Sequence, residues 1–229
     1  MSSKPAAVFR RAREIREGWR STGQACRRLA ILASFVVEPL EPYLIVAADE
    51  ADCPIEPWIA PFGLFEQRVL ARRSDLWDPA PAALWIAMRL EDVTPELPFR
   101  LVEEGHSAVA AGLDDLRTRL TLLAGAARAS FQAPILVSNL WAPHDLGGAL
   151  FDASDPDGLT HLLAAANRQL ARDLAAIDDC HVFDEARCVA EAGRHRWSDR
   201  RLRHLARISP GADAQPQYAD SIVRSVART

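Results

Sequence analysis

Polar side chains follow four of the apolar runs in this sequence, at the points where strands are expected to end. They are Ser34 after "RLAILA", then Arg89, Glu91 and Asp92 after "AALWIAM", then Asn139 and His144 after "APILVS", and Asp184 after "CHVF". Parallel sheets bind ligands beyond the carboxyl ends of their strands, so these side chains are expected along one edge. Serine chemistry and recognition of a polar ligand are the two kinds of site that they suggest.

Ser34 has two interpretations. A serine nucleophile needs a histidine base, usually an acid that orients the base, and donors for the oxyanion. No GxSxG segment is present and no glycine follows Ser34; His195 and His204 flank "RWSDRRLR", a segment that could return to the sheet edge. The serine is therefore either a nucleophile or a small residue in a turn.

The polar residues after the third and fourth strands are similarly ambiguous. Carboxylates in "MRLEDV" could serve as acid and base, or could pair with Arg89, and "SNLWAPHD" places Asn139 and His144 beside Trp141. Metal binding has little support, because the sequence lacks HExxH, DxDxDG and CxxC. Neither GxGxxG nor GxxxxGK occurs, which argues against a glycine-rich phosphate loop.

Strand-like and helix-like segments alternate along the chain. Five short apolar runs, each followed by a helical pattern, predict a three-layer α/β/α sandwich with a five-stranded parallel sheet, flavodoxin-like in type. The runs are "RLAILAS", "IEPWIA", "AALWIAMR", "APILVSN" and "CHVFD", and the longest helix is expected over 103–128. Asp157 is the expected N-cap of the helix after the fourth strand, and Gly193 is expected to end the helix after the fifth. We expect residues 1–27 to form a basic helical extension and residues 28–229 to form one domain.

Composition limits the classes of function. The chain has 229 residues, 49% of them hydrophobic, and a net charge of −4, so its overall charge does not favour a nucleic-acid partner. The four cysteines form no CxxC pair and are expected to be reduced thiols. No apolar run is long enough for a membrane span, and the start, "MSSKPAAVFRRAREIREGW", lacks the apolar core of a signal peptide. We therefore expect a cytoplasmic protein without a membrane partner.

Six segments together resemble a known family. They are "LAILASFVVEPLEPYL", "IAPFGLFEQRVL", "SDLW", "LWIAMRLEDV", "NRQL" and "VAEAGRHRWSDRRLRHLARIS". In order and spacing they resemble the N-terminal SGNH-hydrolase-like domain of FkbH-like proteins, a group that carries a phosphatase domain of the haloacid dehalogenase (HAD) superfamily, subfamily IIIC. The resemblance covers about residues 28–229, and "APFGLFEQ" and "RWSDRRL…LARIS" are its most specific pieces.

The resemblance implies a role in polyketide-type biosynthesis. Two-domain members of the family load a glyceryl unit from a phosphorylated three-carbon precursor onto an acyl carrier protein. Their phosphatase domain holds magnesium at a DxDxT motif, which this sequence lacks. We therefore expect no cofactor in this chain, with magnesium belonging to a HAD-type phosphatase domain in cis or in trans. The acyl carrier protein is the second implied partner.

Comparison with active SGNH hydrolases implies that the catalytic blocks are mostly missing. Ser34 stands in the place of the serine of Gly-Asp-Ser, and in the Gly-x-Asn-Asp block Arg89 replaces the glycine and Glu91 replaces the oxyanion-binding asparagine. A carboxylate would repel a developing oxyanion. In the final Asp-x-x-His block Asp199 is present, but His204 lies five residues on.

Three functions follow as hypotheses. The first is a module without hydrolase activity that positions an acyl carrier protein or a partner domain, docking through the arginine-rich first helix or through Arg200, Arg201 and Arg203. The second is a Ser34-dependent esterase or acyl/glyceryl transferase with His204 or His195 as base. The third is a domain that binds a small polar ligand. Its ligand-binding residues would be Arg89, Glu91, Asn139 and His144.

Overall fold

A five-stranded parallel sheet forms the centre of the molecule. The computed structural model describes residues 5–71, 75–93, 106–141 and 154–229, with backbone alone for Phe65, Glu91, His106 and Arg200. The strand order is β2-β1-β3-β4-β5, and every pair is parallel. The strands are β1 (Arg27–Ala33), β2 (Ile55–Ile59), β3 (Ala83–Ala87), β4 (Ile135–Ser138) and β5 (Cys180–Phe183). The predicted five-stranded α/β fold is confirmed.

Helices follow each strand, as the alternation of patterns predicts. They are α1 (Pro5–Thr22), α2 (Glu41–Glu50), α3 (Phe65–Leu70), α4 (Leu90–Val93), α5 (His106–Ser130), α6 (Leu159–Ala175), α7 (Glu185–Ala192), α8 (Arg194–Trp197), α9 (Arg200–Ala206) and α10 (Gln215–Arg228). A 3₁₀ turn, Glu38–Leu40, leads into α2. Pro42 is tolerated in α2 because it lies in the first turn, where its missing N–H costs no helical hydrogen bond.

The central strands are buried on both faces, which explains why their sequences are continuously apolar. All five residues of β3 are buried. Because successive side chains point to opposite faces, Trp85 belongs to one core while Leu84 and Ile86 belong to the other. The first core is covered by α1, α2, α7 and α10, and the second by α3, α5 and α6.

The first helix is part of this packing. Val8, Ala12 and Trp19 of α1 are buried in the first core, where α1 lies against α2. On its polar side Arg16 forms ion pairs with Glu41 and Glu56. The boundary at residue 27 remains a prediction, while the packing shows that α1 contributes to the same core as the sheet.

Helix ends follow local chemistry. Gly193 ends α7 with a φ of 82°, a left-handed conformation that glycine adopts without strain. The expected cap at Asp157 is wrong: Gly158 occupies the N-cap position of α6 in an extended conformation and makes no side-chain cap. The Asp157 amide instead donates to Asp155, within the turn that precedes the helix.

The segment after α9 returns to the sheet edge, as the "RWSDRRLR" pattern suggested. Ile208 bridges Val36 just beyond β1, and the Val36 amide donates to the Arg207 carbonyl at 3.0 Å.

The four cysteines are free thiols, Cys180 and Cys188 buried and Cys26 exposed. Among the described helices, none is long and apolar enough to cross a membrane.

Candidate functional site

Ser34 lies at the carboxyl end of β1 and is held on two sides. Its amide continues the sheet by donating to the Ala87 carbonyl at 3.0 Å. Its hydroxyl accepts a hydrogen bond from the Arg89 amide at 2.9 Å and donates to Asp92 Oδ2 at 3.2 Å. The side chain is only 6% exposed.

These contacts favour a structural role for the hydroxyl. A nucleophilic serine gives its proton to a base, which is usually histidine. Here the Ser34 hydroxyl donates its hydrogen bond to the Asp92 carboxylate, and carboxylates are in general weaker bases than imidazole. The two hydrogen bonds join the segments after β1 and β3, the strands at the centre of the sheet. Ser34 lies at the strand end where the sequence predicted it, and the nucleophilic role remains a prediction.

Arg89, whose amide donates to the Ser34 hydroxyl, has a buried side chain. Its guanidinium lies over the Phe35 ring, with Cζ 3.7 Å from the ring centroid, and 5.6 Å from the centroid of Trp141. Its Nη2 lies 3.5 Å from Glu185 Oε1, and both side chains are 2% exposed. The Trp141 indole N–H donates to the same carboxylate oxygen at 3.3 Å. The Arg89 side chain is therefore buried in an ion pair with Glu185.

Glu185 lies at the start of a helix. It begins α7, and the N-terminus of a helix stabilises a negative charge. Burial, together with the Glu185 carboxylate, raises the pKa of Tyr218 well above its usual value, because an ionised tyrosine there would be both desolvated and repelled. Within the described part of the chain, Arg89 Nε has no hydrogen-bond partner.

An aromatic cluster contacts the ion pair through Trp141. Tyr218 packs edge-on against Trp197, with centroids 4.7 Å apart, and against Trp85 at 5.5 Å. Trp197 in turn meets Trp141 at 6.4 Å. Edge-to-face aromatic contacts of this kind add to the stability that burial supplies. The cluster connects the sheet, α8 and α10 to the edge where Ser34 lies.

Asn139 connects β4 to the start of α7. Its Nδ2 donates to Asp184 Oδ1 at 2.8 Å, and its Oδ1 accepts from the Ala186 amide at 2.8 Å. Asp184 is the N-cap of α7 and also accepts from the Arg187 amide. Both polar groups of the asparagine side chain are thus used in holding a helix terminus, which leaves its expected role in ligand binding as a prediction.

The remaining predicted residues lie apart from this cluster or outside the described residues. Asp199 caps α9 by accepting from the amides of Arg201 and Leu202, and His204 is exposed on the same helix. Arg201 is exposed and Arg203 half-buried. His144, and the side chains of Glu91 and Arg200, lie outside the described residues.

Sequence reasoning missed Glu185 and Asn167. Glu185 directly follows Asp184 at a strand end, and its place at the first helical position was the available signal. Asn167 braces the chain after β4: its Oδ1 accepts from the Leu140 amide at 2.8 Å and its Nδ2 donates to the Leu140 carbonyl at 2.7 Å. It belongs to "NRQL", so the resemblance contained a signal for it.

No group of three or more His, Cys, Asp or Glu side chains is placed to hold a metal within 5–71, 75–93, 106–141 and 154–229. Comparison with protein-family models and with curated proteins gives no match.

The solved structures that are similar to this chain include the following two. One is the N-terminal part of the protein BF1531 from Bacteroides fragilis, containing a phosphatase domain complexed with Mg; it is 19% identical, with a TM-score of 0.69 over 93% of this chain. This chain spans 56% of that one, just over half. The other is the lipase Lip_vut3 from a goat rumen metagenome, 11% identical with a TM-score of 0.55, covering 88% of this chain and 97% of the lipase.

At these identities the two matches establish the fold and no more. The first neighbour combines such a fold with a phosphatase domain in one chain, and the second is a lipase. This chain has a three-layer α/β fold, consistent with the SGNH-hydrolase-like domain that the resemblance implies.

Proposed function

We propose that this chain is an SGNH-hydrolase-like module that does not hydrolyse esters and that positions an acyl carrier protein for a HAD-type phosphatase domain. The observation that carries the proposal is the state of Ser34, whose hydroxyl is bonded to Asp92 and to the Arg89 amide. The same Arg89 forms a buried ion pair with Glu185. A module with this edge serves as a scaffold rather than as a catalyst.

A phosphatase domain is proposed as the partner because one structural neighbour carries such a domain in the same chain. The acyl carrier protein is proposed from the family resemblance and from charge. Residues 194–207 contain six arginines, two histidines and one aspartate, in a chain whose net charge is −4. Such a concentration of positive charge attracts an acidic partner.

Hydrolysis assays test the first half of the proposal. Wild type and Ser34→Ala are compared on p-nitrophenyl acetate and on an acyl-pantetheine thioester. We expect the same background rate from both, because the serine proton is held by a carboxylate. Turnover that depends on Ser34 would instead establish the esterase or transferase, and the proposal would fail.

Charge reversal tests the second half. We expect the triple variant Arg200→Glu, Arg201→Glu, Arg203→Glu to bind a purified acyl carrier protein at least about tenfold more weakly, a change of about 1.4 kcal/mol. The matched control reverses Arg168 and Arg172, two exposed arginines on α6, and should bind as wild type does. Equal affinity of the triple variant and wild type in calorimetry would rule out docking at α9.

A further inference from the structure

Two segments far apart in the sequence form one exposed surface at the carboxyl edge of the sheet. The segment after β2 carries Phe62, and the end of α9 carries Arg207, whose guanidinium carbon lies 5.6 Å from the centroid of the Phe62 ring. Both belong to the segments that carry the family resemblance most specifically. The contact joins those segments in space.

The Phe62 side of this surface is rigidly presented. The Leu64 amide donates to the Pro61 carbonyl at 3.1 Å, which closes a four-residue turn. Gly63, with a φ of 75°, occupies the position in that turn where a left-handed residue is required. The turn is anchored to the sheet because the Ala60 amide donates to the Ile31 carbonyl. Phe62 is consequently held out from the fold, with 47% of its surface exposed.

The α9 side is anchored equally well. The Arg207 carbonyl accepts from the Val36 amide, so the end of the helix is tied to the chain that leaves β1. Leu205, two residues earlier, is 71% exposed. Large apolar side chains are thus exposed on both of these hydrogen-bonded segments, and such exposure indicates an interaction surface. We call Phe62, Leu64, Leu205 and Arg207 the edge patch.

We propose that the edge patch binds an acidic amphipathic helix of a partner protein, with Phe62 and Leu205 as its apolar anchors. Charge complementarity selects this occupant: Arg201 and Arg207 are exposed within four residues of Leu205, and Arg207 also lies over the Phe62 ring. The one acidic residue in 194–207, Asp199, accepts two backbone hydrogen bonds from its own helix. Aromatic and arginine side chains dominate binding energy at such surfaces. The proposal deepens the proposed function and rests on it for the identity of the partner.

A synthetic helix is the direct test. A fluorescein-labelled 18-residue peptide with leucine on one face and glutamate elsewhere is titrated with the full chain, and binding is measured by fluorescence anisotropy. Two matched peptides serve as controls, one with lysine in place of glutamate and one with glutamine in place of leucine. We expect both controls to bind at least about tenfold more weakly than the acidic peptide.

Variants of the chain locate the binding surface. Phe62→Ser and Leu205→Ser should each weaken the acidic peptide by about tenfold, while Leu122→Ser should leave its affinity unchanged. Leu122 is a matched control because it is 68% exposed on α5. All three side chains are exposed, so the substitutions leave the core intact, and thermal unfolding checks this. The inference is overturned if Phe62→Ser binds as wild type does, or if Leu122→Ser weakens binding equally.

An acyl carrier protein in the same assay separates the inference from the proposed function. If the peptide binds through the edge patch and the carrier protein does not bind, the surface stands and the proposed partner falls. If the carrier protein binds Phe62→Ser as tightly as wild type, the proposed function stands and the edge patch is overturned as its docking surface.

Discussion

At the scale of single residues, the carboxyl edge is defined by a buried charge pair. Arg89 and Glu185 are each desolvated, and their mutual attraction is supported by the Phe35 and Trp141 rings and by the start of α7. Buried pairs add little net stability when they are complete, because both partners lose their hydration. Removing one partner is costly, because the other charge stays buried without compensation.

We therefore expect Glu185→Gln to lower the free energy of unfolding by about 3–5 kcal/mol. Adding Arg89→Met should recover much of the loss, since no unpaired charge then remains. Urea titrations of the two single variants and the double variant measure the coupling.

The matched control is Glu191→Gln on the same helix. Glu191 also lies 3.5 Å from an arginine, Arg187, but the pair is exposed. Its loss should cost at most about 1 kcal/mol. Equal costs for Glu185→Gln and Glu191→Gln, or strictly additive effects of Glu185→Gln and Arg89→Met, would contradict this account of the pair.

At the scale of elements, α1 shows how a charged segment can form part of a core. Its sequence is rich in arginine, yet three residues on one face pack against α2, and the arginines lie around that face. Helical periodicity predicted a helix docked by one face. The periodicity could not show how deeply Trp19 is buried, because depth depends on the residues that neighbouring elements such as α2 place opposite the helix.

Substitution of the two aromatic residues of α1 tests this packing. Trp19→Ala should destabilise the chain by about 3–5 kcal/mol, because it leaves a large cavity in the first core. Phe9→Ala should change stability by about 0.5 kcal/mol or less, since Phe9 is 53% exposed. Urea unfolding followed by circular dichroism measures both. Similar losses for the two variants would mean that the helix is not docked through Trp19.

At the scale of the whole molecule, the buried titratable groups predict an alkaline limit to stability. Burial raises the pKa of Cys180 to about 11 and also raises the pKa values of Cys188 and Tyr218. The sequence has one lysine, so few other groups release a proton in this range. In the unfolded chain a cysteine thiol loses its proton near its ordinary pKa of 9.0, while folded Cys180 keeps its proton until about pH 11.

The unfolded state therefore binds fewer protons than the folded state between about pH 9 and 11, and stability must fall as pH rises through that window. Below pH 9 these groups are protonated in both states and add no slope. Urea midpoints measured from pH 8 to 11 should show the decline, and Cys180→Ala should make it shallower. A midpoint that stays constant, or a slope unchanged in Cys180→Ala, would contradict the burial of these thiols.

The order of strands and helices could be predicted from local patterns, for physical reasons. A strand covered on both faces must be apolar throughout, as β3 is, and a helix that ends in a left-handed turn favours glycine, as Gly193 shows. The positions of Ser34, Arg89 and Asn139 at one edge follow from parallel topology alone. Asp157 shows the limit of such reasoning, because the turn before α6 competes for its backbone and Gly158 becomes the cap.

The sequence by itself determined the fold class, the strand ends and the polar residues found there, because burial and turn chemistry leave local patterns. Only the tertiary structure decided what those residues do. Whether Ser34 meets a base or a carboxylate, whether Arg89 faces solvent or Glu185, and whether Phe62 lies beside Arg207 all depend on residues tens of positions or more away in the chain. Such contacts follow from packing in three dimensions, and no local periodicity encodes them.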